Sequence, residues 1–152
     1  MGYRLGSSAS GDPEVRFYVD ESLMGLAKAL PILRSDATGC GHRRGEHDIL
    51  PNTPDPIWIP IVAQRGWIVI GFDKKLRTRP GESNLLLEHR LRVIRLCSKK
   101  SLSNWEYLKL LMTHWNSIEE FVADNDGPWF LSVERNFVRS REIVSHAGRG
   151  GH

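Results

Sequence analysis

The sequence predicts an α/β domain: a mostly parallel central sheet with helices on both faces, in three layers. Three observations predict it. Phe17-Tyr18-Val19 and Trp67-Ile68-Val69-Ile70-Gly71-Phe72 are short runs rich in β-branched and aromatic residues, and each leads directly into an acid, Asp20 or Asp73. The second run is apolar almost throughout, as expected of a strand covered on both faces. Stretches with apolar residues at helical spacing separate and follow these runs, and alternation of strand and helix favours parallel pairing through crossovers.

The elements follow in order. Residues 1–14 are rich in Gly and Ser and are expected to form a flexible leader. Val15 to Val19 is the first strand. Ser22 to Leu33 reads as a helix, with Leu23, Leu26, Ala27, Leu30 and Leu33 recurring at its period. Residues 36–53 are mostly loop, with a short strand near Thr38 to Cys40. Thr53-Pro54-Asp55 has the chemistry of a helix start: a capping residue, a proline at the first helical position, and an acid near the positive end of the dipole. Ile57, Trp58, Ile61 and Val62 are its expected buried face, Pro60 brings some irregularity, and Gly66 ends it. After the strand Trp67–Phe72, a helix is expected over Glu82 to His89 and a strand over Arg92 to Cys97. Ser103 and Glu106 have capping-box spacing and open a long helix. Its stripe of Trp105, Leu108, Leu111, Met112, Trp115, Ile118 and Val122 reads as core. Pro128 to Val133 is a last strand. The domain is expected over 15–144, and the Gly-rich segment 145–152 is a loose tail.

Composition narrows the function classes. A chain of 152 residues suits one domain, and 40% hydrophobic with 26% charged residues excludes a fibre or a wholly disordered chain. No stretch approaches the ~18 apolar residues of a membrane span. Met1 to Glu14 lacks the basic-then-apolar layout of a signal peptide. Cys40 and Cys97 form neither a disulfide framework nor a CxxC pair, so a reduced, cytoplasmic setting is expected. The net charge of +3 is mild, but eleven Lys/Arg against four Asp/Glu fall between Arg65 and Lys109. Such a run is either a solvated basic face or a surface that attracts phosphate.

The acids carry the chemistry. If the two best strands are parallel, Asp20 and Asp73 emerge at one edge. Asp55 opens the helix before the second strand. That helix must run antiparallel to the strand, so its start reaches the same edge. Three acids meeting there repel one another unless a divalent cation neutralises them. Mg²⁺ accepts a few carboxylates, keeps several waters, and can activate a water against a phosphodiester. Each acid also has a plain reading, as a loop or cap residue, and Asp55 especially so. Cys40, His42, His47 and Asp48 lie close in sequence, but their spacing matches no zinc motif and they read as loop.

The segments Phe17-Tyr18-Val19-Asp20-Glu21-Ser22-Leu23, Pro54-Asp55-Pro56-Ile57-Trp58 and Gly66-Trp67-Ile68-Val69-Ile70-Gly71-Phe72-Asp73-Lys74-Lys75 together resemble PIN-like domains. With Arg77-Thr78-Arg79-Pro80-Gly81-Glu82 added, the subgroup resembled is the short VapC-type toxins of bacterial toxin–antitoxin systems. The resemblance runs from about Val15 to Cys97, and more weakly to Val133. It implies cleavage of RNA with Mg²⁺ or Mn²⁺, with Asp20, Asp55 and Asp73 as catalytic metal ligands. It further implies a cognate antitoxin that occludes the acidic edge, and a possible homodimer. Typical members carry one more acid on an intervening helix. Here that region offers only Asp36, Glu46 and Asp48, and Glu21, beside Asp20, is the stand-in. Lys74, Lys75, Arg77 and Arg79 directly follow Asp73 and are placed to hold the RNA backbone. Two other readings remain open at this level. One is a degenerate PIN-like module that binds RNA or protein without cutting. The other is a receiver-like signalling domain built on Asp20-Glu21 and Asp73, which lacks a well-placed later Thr and Lys.

Overall fold

Side-chain alternation along four strands decides how the sheet is covered. In this computed structural model, residues 14–42, 49–72 and 80–141 are described, without the side chains of 80–83 and 141. The strands are β1 (Phe17–Val19), β2 (Ala37–Gly39), β3 (Ile68–Phe72), β4 (Arg92–Leu96), β5 (Trp129–Glu134) and β6 (Phe137–Arg141). They form one sheet in the order β2-β1-β3-β4-β5-β6, parallel throughout except for the β5–β6 hairpin. The expected α/β class, mostly parallel with helices on both faces, is what the chain adopts.

The helices are α1 (Met24–Leu33), α2 (Asp55–Gln64), α3 (Pro80–Glu88), α4 (Asn104–Thr113) and α5 (Trp115–Asp124). Phe17 and Val19, Ile68 and Ile70, Ile94 and Leu96, and Trp129, Leu131 and Val133 point to one face. There they meet Leu26 and Leu30 of α1, Leu111 of α4 and Ile118 of α5. Tyr18, Val69, Val93 and Phe130 alternate to the other face, against Ile59 and Val62 of α2 and Leu86 of α3. Two-residue periodicity on a pleated strand thus builds two cores from one sheet.

Four sequence-based expectations are corrected here. Ile57 is 56% exposed, and α2 instead buries Ile59 and Val62, with Trp58 and Ile61 half-buried. α2 also starts one residue later than expected: Pro54 is the N-cap, and the Thr53 hydroxyl donates back to Leu50 O at 2.6 Å. The single long helix after Ser103 is two helices, parted at His114 (φ −105°, ψ 10°). Trp105, expected in the core, is 64% exposed, and Met112 on the same helix is exposed too, because Tyr107 and Leu111 occupy the buried side of α4. The capping box itself forms: Glu106 N–H donates to Ser103 Oγ at 3.1 Å, and Ser103 N–H to Glu106 Oε1 at 2.9 Å.

An ion-pair cluster ties the amino-terminal ends of the strands to α5. Arg16, just before β1, donates to Asp36 at 3.3 Å and to both oxygens of Glu119 at 2.7 and 3.1 Å. Arg34 donates to both oxygens of Asp36 at 2.8 and 2.9 Å, and its guanidinium lies over the Trp115 ring at 4.6 Å. Burial works to raise the Asp36 carboxyl, but Arg34 and Arg16 outweigh it and hold it below the usual carboxylate range. A depressed folded pKa contributes stability above the unfolded value, about 3.9, and that contribution is lost as pH falls through the folded value. Asp36→Asn should therefore lower stability at pH 7 by about 1 kcal/mol, the scale of a partly exposed charged network. The gap to wild type should narrow in urea titrations at pH 3, and an equal gap at both pH values would contradict the assignment.

Candidate active site

Open parallel sheets present a crevice where successive strands depart in opposite directions. The chain leaves β1 towards β2 by way of α1 on one face, and leaves β3 towards β4 by way of α3 on the other. β1 and β3 are neighbours, with Val19 opposite Ile70. The switch point therefore lies at their carboxyl ends, and Asp20 is the first residue beyond β1.

Asp20 is held there from several sides. Its N–H donates to Ile70 O at 3.0 Å, extending the β1–β3 pairing by one step. It is the N-cap of a short 3₁₀ turn, Glu21–Leu23, and its Oδ1 accepts the Ser22 N–H at 2.8 Å. The Ser22 hydroxyl also donates to Oδ1, while Ser22 Oγ accepts the Phe72 N–H at 2.9 Å. One serine thus locks the carboxylate and ties it to the end of β3. The other oxygen lies against Gly71, where a Cβ would sit 2.6 Å from Oδ2 and 3.1 Å from Cγ. Only glycine leaves room for this rotamer. Neither Ser22 nor Gly71 was identified from sequence. A serine two residues after an N-cap acid and a glycine inside an apolar strand carry no distinctive pattern.

Glu21 and Asp55 reach the same edge by different routes. Both Glu21 carboxylate oxygens accept the Asn52 N–H, each at 3.1 Å, and Asn52 adopts a left-handed φ of 68°. The loop leading into α2 is thereby moored to the turn after β1. Asp55 is the first residue of α2, and its Oδ1 accepts the Trp58 indole N–H at 2.9 Å. Trp58 in turn lies against Tyr18 of β1, with ring centroids 5.8 Å apart. Neither Glu21 nor Asp55 has an ion-pair partner among the described residues.

The negative charge is felt beneath the edge. Burial pushes the Tyr18 phenol well above its ordinary value, and its hydrogen-bonded neighbour Cys40 and the charges of Asp20 and Glu21 add to the rise. Burial likewise pushes the Cys40 thiol up; the Tyr18 hydrogen bond opposes this, and Glu21 and Asp20 reinforce it. A cavity of about 560 Å³, lined by Arg16, Arg65, Trp67 and Arg92 among others, opens at the opposite, amino-terminal edge, away from these acids.

Asp73, Lys74, Lys75, Arg77 and Arg79 lie outside the described residues, as do His47 and Asp48. β3 ends at Phe72, one residue before Asp73. Among the described residues, no three His, Cys, Asp or Glu side chains are grouped closely enough to hold a metal. The donor chemistry at the edge is nonetheless that of a hard cation. Carboxylate oxygens dominate it, and Mg²⁺ needs only one or two of them with water completing the shell.

Residues 15–98 match the PIN-like domain family. No curated protein and no solved structure matches the chain significantly. The matched segment covers more than half of the chain, runs from just before β1 to just past β4, and includes Asp20, Asp55 and Asp73. This chain belongs to the family of PIN-like domains.

Proposed function

We propose that the protein is a divalent-metal-dependent endoribonuclease and the toxin of a toxin–antitoxin pair. The single observation that supports the nuclease reading best is the placement of Asp20. It is a carboxylate at the switch point of a PIN-like sheet, locked by Ser22 and lying over a glycine that admits nothing larger. In this reading Asp20, Asp55 and Asp73 would hold Mg²⁺ or Mn²⁺, with Glu21 beside them. When bound, the cation would lower the pKa of a water and neutralise charge building on the phosphodiester.

The chain's own residues supply orientation. Ser22 sets the Asp20 carboxylate before any ligand arrives, so no reorganisation is needed at the moment of reaction. The Glu21–Asn52 tether sets how far the start of α2, and hence Asp55, stands from β1. Trp58 holds Asp55 in one rotamer. Lys74, Lys75, Arg77 and Arg79 would bind backbone phosphates next to the acids, positioning the strand without reading its sequence. The toxin assignment rests on the resemblance of the segments 17–23, 54–58 and 66–75, with Arg77 to Glu82 added, to short VapC-type toxins, and it brings a cognate antitoxin and a homodimer as proposed partners. No described helix is long and apolar enough to cross a membrane.

Two experiments test this reading. A fluorogenic single-stranded RNA should be cut in Mg²⁺ or Mn²⁺ and spared in EDTA. Asp20→Asn and Asp73→Asn should each lower the rate by about 10³-fold or more, with circular dichroism unchanged. Wild-type rates in Asp73→Asn would remove that residue from the site. Gly71→Ala provides a subtler probe, since its methyl pushes on the end of the Asp20 side chain rather than on backbone. It should weaken Mg²⁺ binding about tenfold by calorimetry, the scale of a lost supporting contact, with little change in melting temperature. Unaltered metal affinity in this variant would show that the Asp20 rotamer seen here is not the ligating one.

A further inference from the structure

We propose that Trp105 is a stacking platform for a base of single-stranded RNA, and that Lys99 and Lys100 hold the adjoining phosphates beside it. This track extends the acidic site across the carboxyl edge and rests on the nuclease reading above.

Three observations carry the proposal. The first is the indole itself. Trp105 is 64% exposed in a chain that buries or half-buries its other four tryptophans. Among the described residues it has no ring partner, and its N–H has no acceptor. Exposing so large an apolar side chain gives up the burial that stabilises the others. An indole this exposed is what a base needs for stacking, whatever its sequence.

The second is location. β4 lies beside β3, and the loop 97–103 carries the chain from the carboxyl end of β4 to the start of α4. That start is pressed against the first turn of α1: a Cβ on Gly25 would collide with the Asn104 side chain. Gly25 is only five residues past Asp20. Trp105 follows Asn104 directly, and in a helix the Cα–Cβ bond leans towards the N-terminus, here towards the edge that carries the acids. α4 thus begins against α1 at the carboxyl edge that carries Asp20, and a strand lying along that edge reaches the 97–105 segment beyond the end of β3.

The third is charge. Lys99 and Lys100 are exposed and have no ion-pair partner among the described residues, and residues 97–105 contain no acid. Glu106, the nearest carboxylate in sequence, is turned back into the capping box, accepting the Ser103 N–H at 2.9 Å. Lys109 lies one turn further along the outward face of α4 that Trp105 shares. Aromatic surface interleaved with unpaired cations matches a nucleic-acid strand better than an apolar protein partner.

The test uses the full chain carrying Asp20→Asn, in EDTA, so that binding is read without cleavage. The probe is a fluorescein-labelled single-stranded 12-mer oligoribonucleotide followed by anisotropy. Trp105→Ala should weaken binding about tenfold, and Trp105→Phe should retain most of it. Lys99→Gln with Lys100→Gln should reduce the steepness of the salt dependence. In the otherwise wild-type chain, Trp105→Ala should raise KM for single-stranded RNA while leaving kcat within about twofold. Because Trp105 is exposed, melting temperatures should match wild type and certify the fold. Unchanged affinity and KM in Trp105→Ala would overturn the track even if metal-dependent cleavage is intact. Loss of self-association on gel filtration with RNA affinity unchanged would overturn it in favour of a protein contact. Trp105-dependent RNA binding in a chain that never cleaves would support the track while removing the nuclease reading.

Discussion

Everything in this domain hangs on three residues. Phe17, Tyr18 and Val19 form the shortest kind of strand, yet β1 is paired on both sides, to β2 and β3, and all three side chains are buried. Their alternation feeds both cores. Their direction sets the polarity of the sheet, and their position between strands that leave in opposite directions creates the crevice. The crevice at the carboxyl edge is thus a by-product of the pairing that the hydrophobic core demands. Asp20 continues that pairing with its own N–H before the chain turns away.

The two ends of the sheet divide the electrostatic work. At the amino-terminal end, Arg16 and Arg34 meet Asp36 and Glu119, and opposite charges compensate one another. At the carboxyl end, Asp20 and Glu21 stand over a buried phenol and thiol whose ionisation they further suppress. Balanced charge stabilises the fold at one end, and negative charge gathers at the other. The separation allows an acidic edge to exist without acidic residues entering the core.

The large features were legible because they follow from periodicity. The apolar runs at Phe17–Val19 and Ile68–Phe72, the capping box at Ser103 and the acids at strand ends are all local signals. The failures were local too. In Ile57-Trp58-Ile59-Pro60-Ile61-Val62 every residue is apolar, so no periodic face stands out and nothing local marks Ile57 as the exposed one. In α4 and α5 the apolar stripe reaches the core at Leu108, Leu111, Trp115, Ile118 and Val122 on both sides of the break at His114, but Tyr107 and Leu111 take the buried side of α4 and leave Trp105 outside. β6 carries little local signal because Phe137-Val138-Arg139-Ser140-Arg141 is a partly polar edge strand. Its cue was the two-residue Arg135-Asn136 connection that reverses the chain after β5. At the proposed site, Asp20 follows from its strand-end position, whereas Asp55, which also reads as an ordinary helix-start acid, and Glu21 rest mainly on the family resemblance. The roles of Ser22, Asn52 and Gly71 depend on contacts between segments tens of residues apart, which no local pattern encodes.

The bond from the Trp58 indole to Asp55 also gives this edge an optical signal. Trp58 lies on the Tyr18 ring below and donates its N–H to the first carboxylate of α2. Indole emission responds to charge and hydrogen bonding at that nitrogen. Any event that withdraws the Asp55 carboxylate from the ring is therefore written into the fluorescence of a tryptophan the protein already carries.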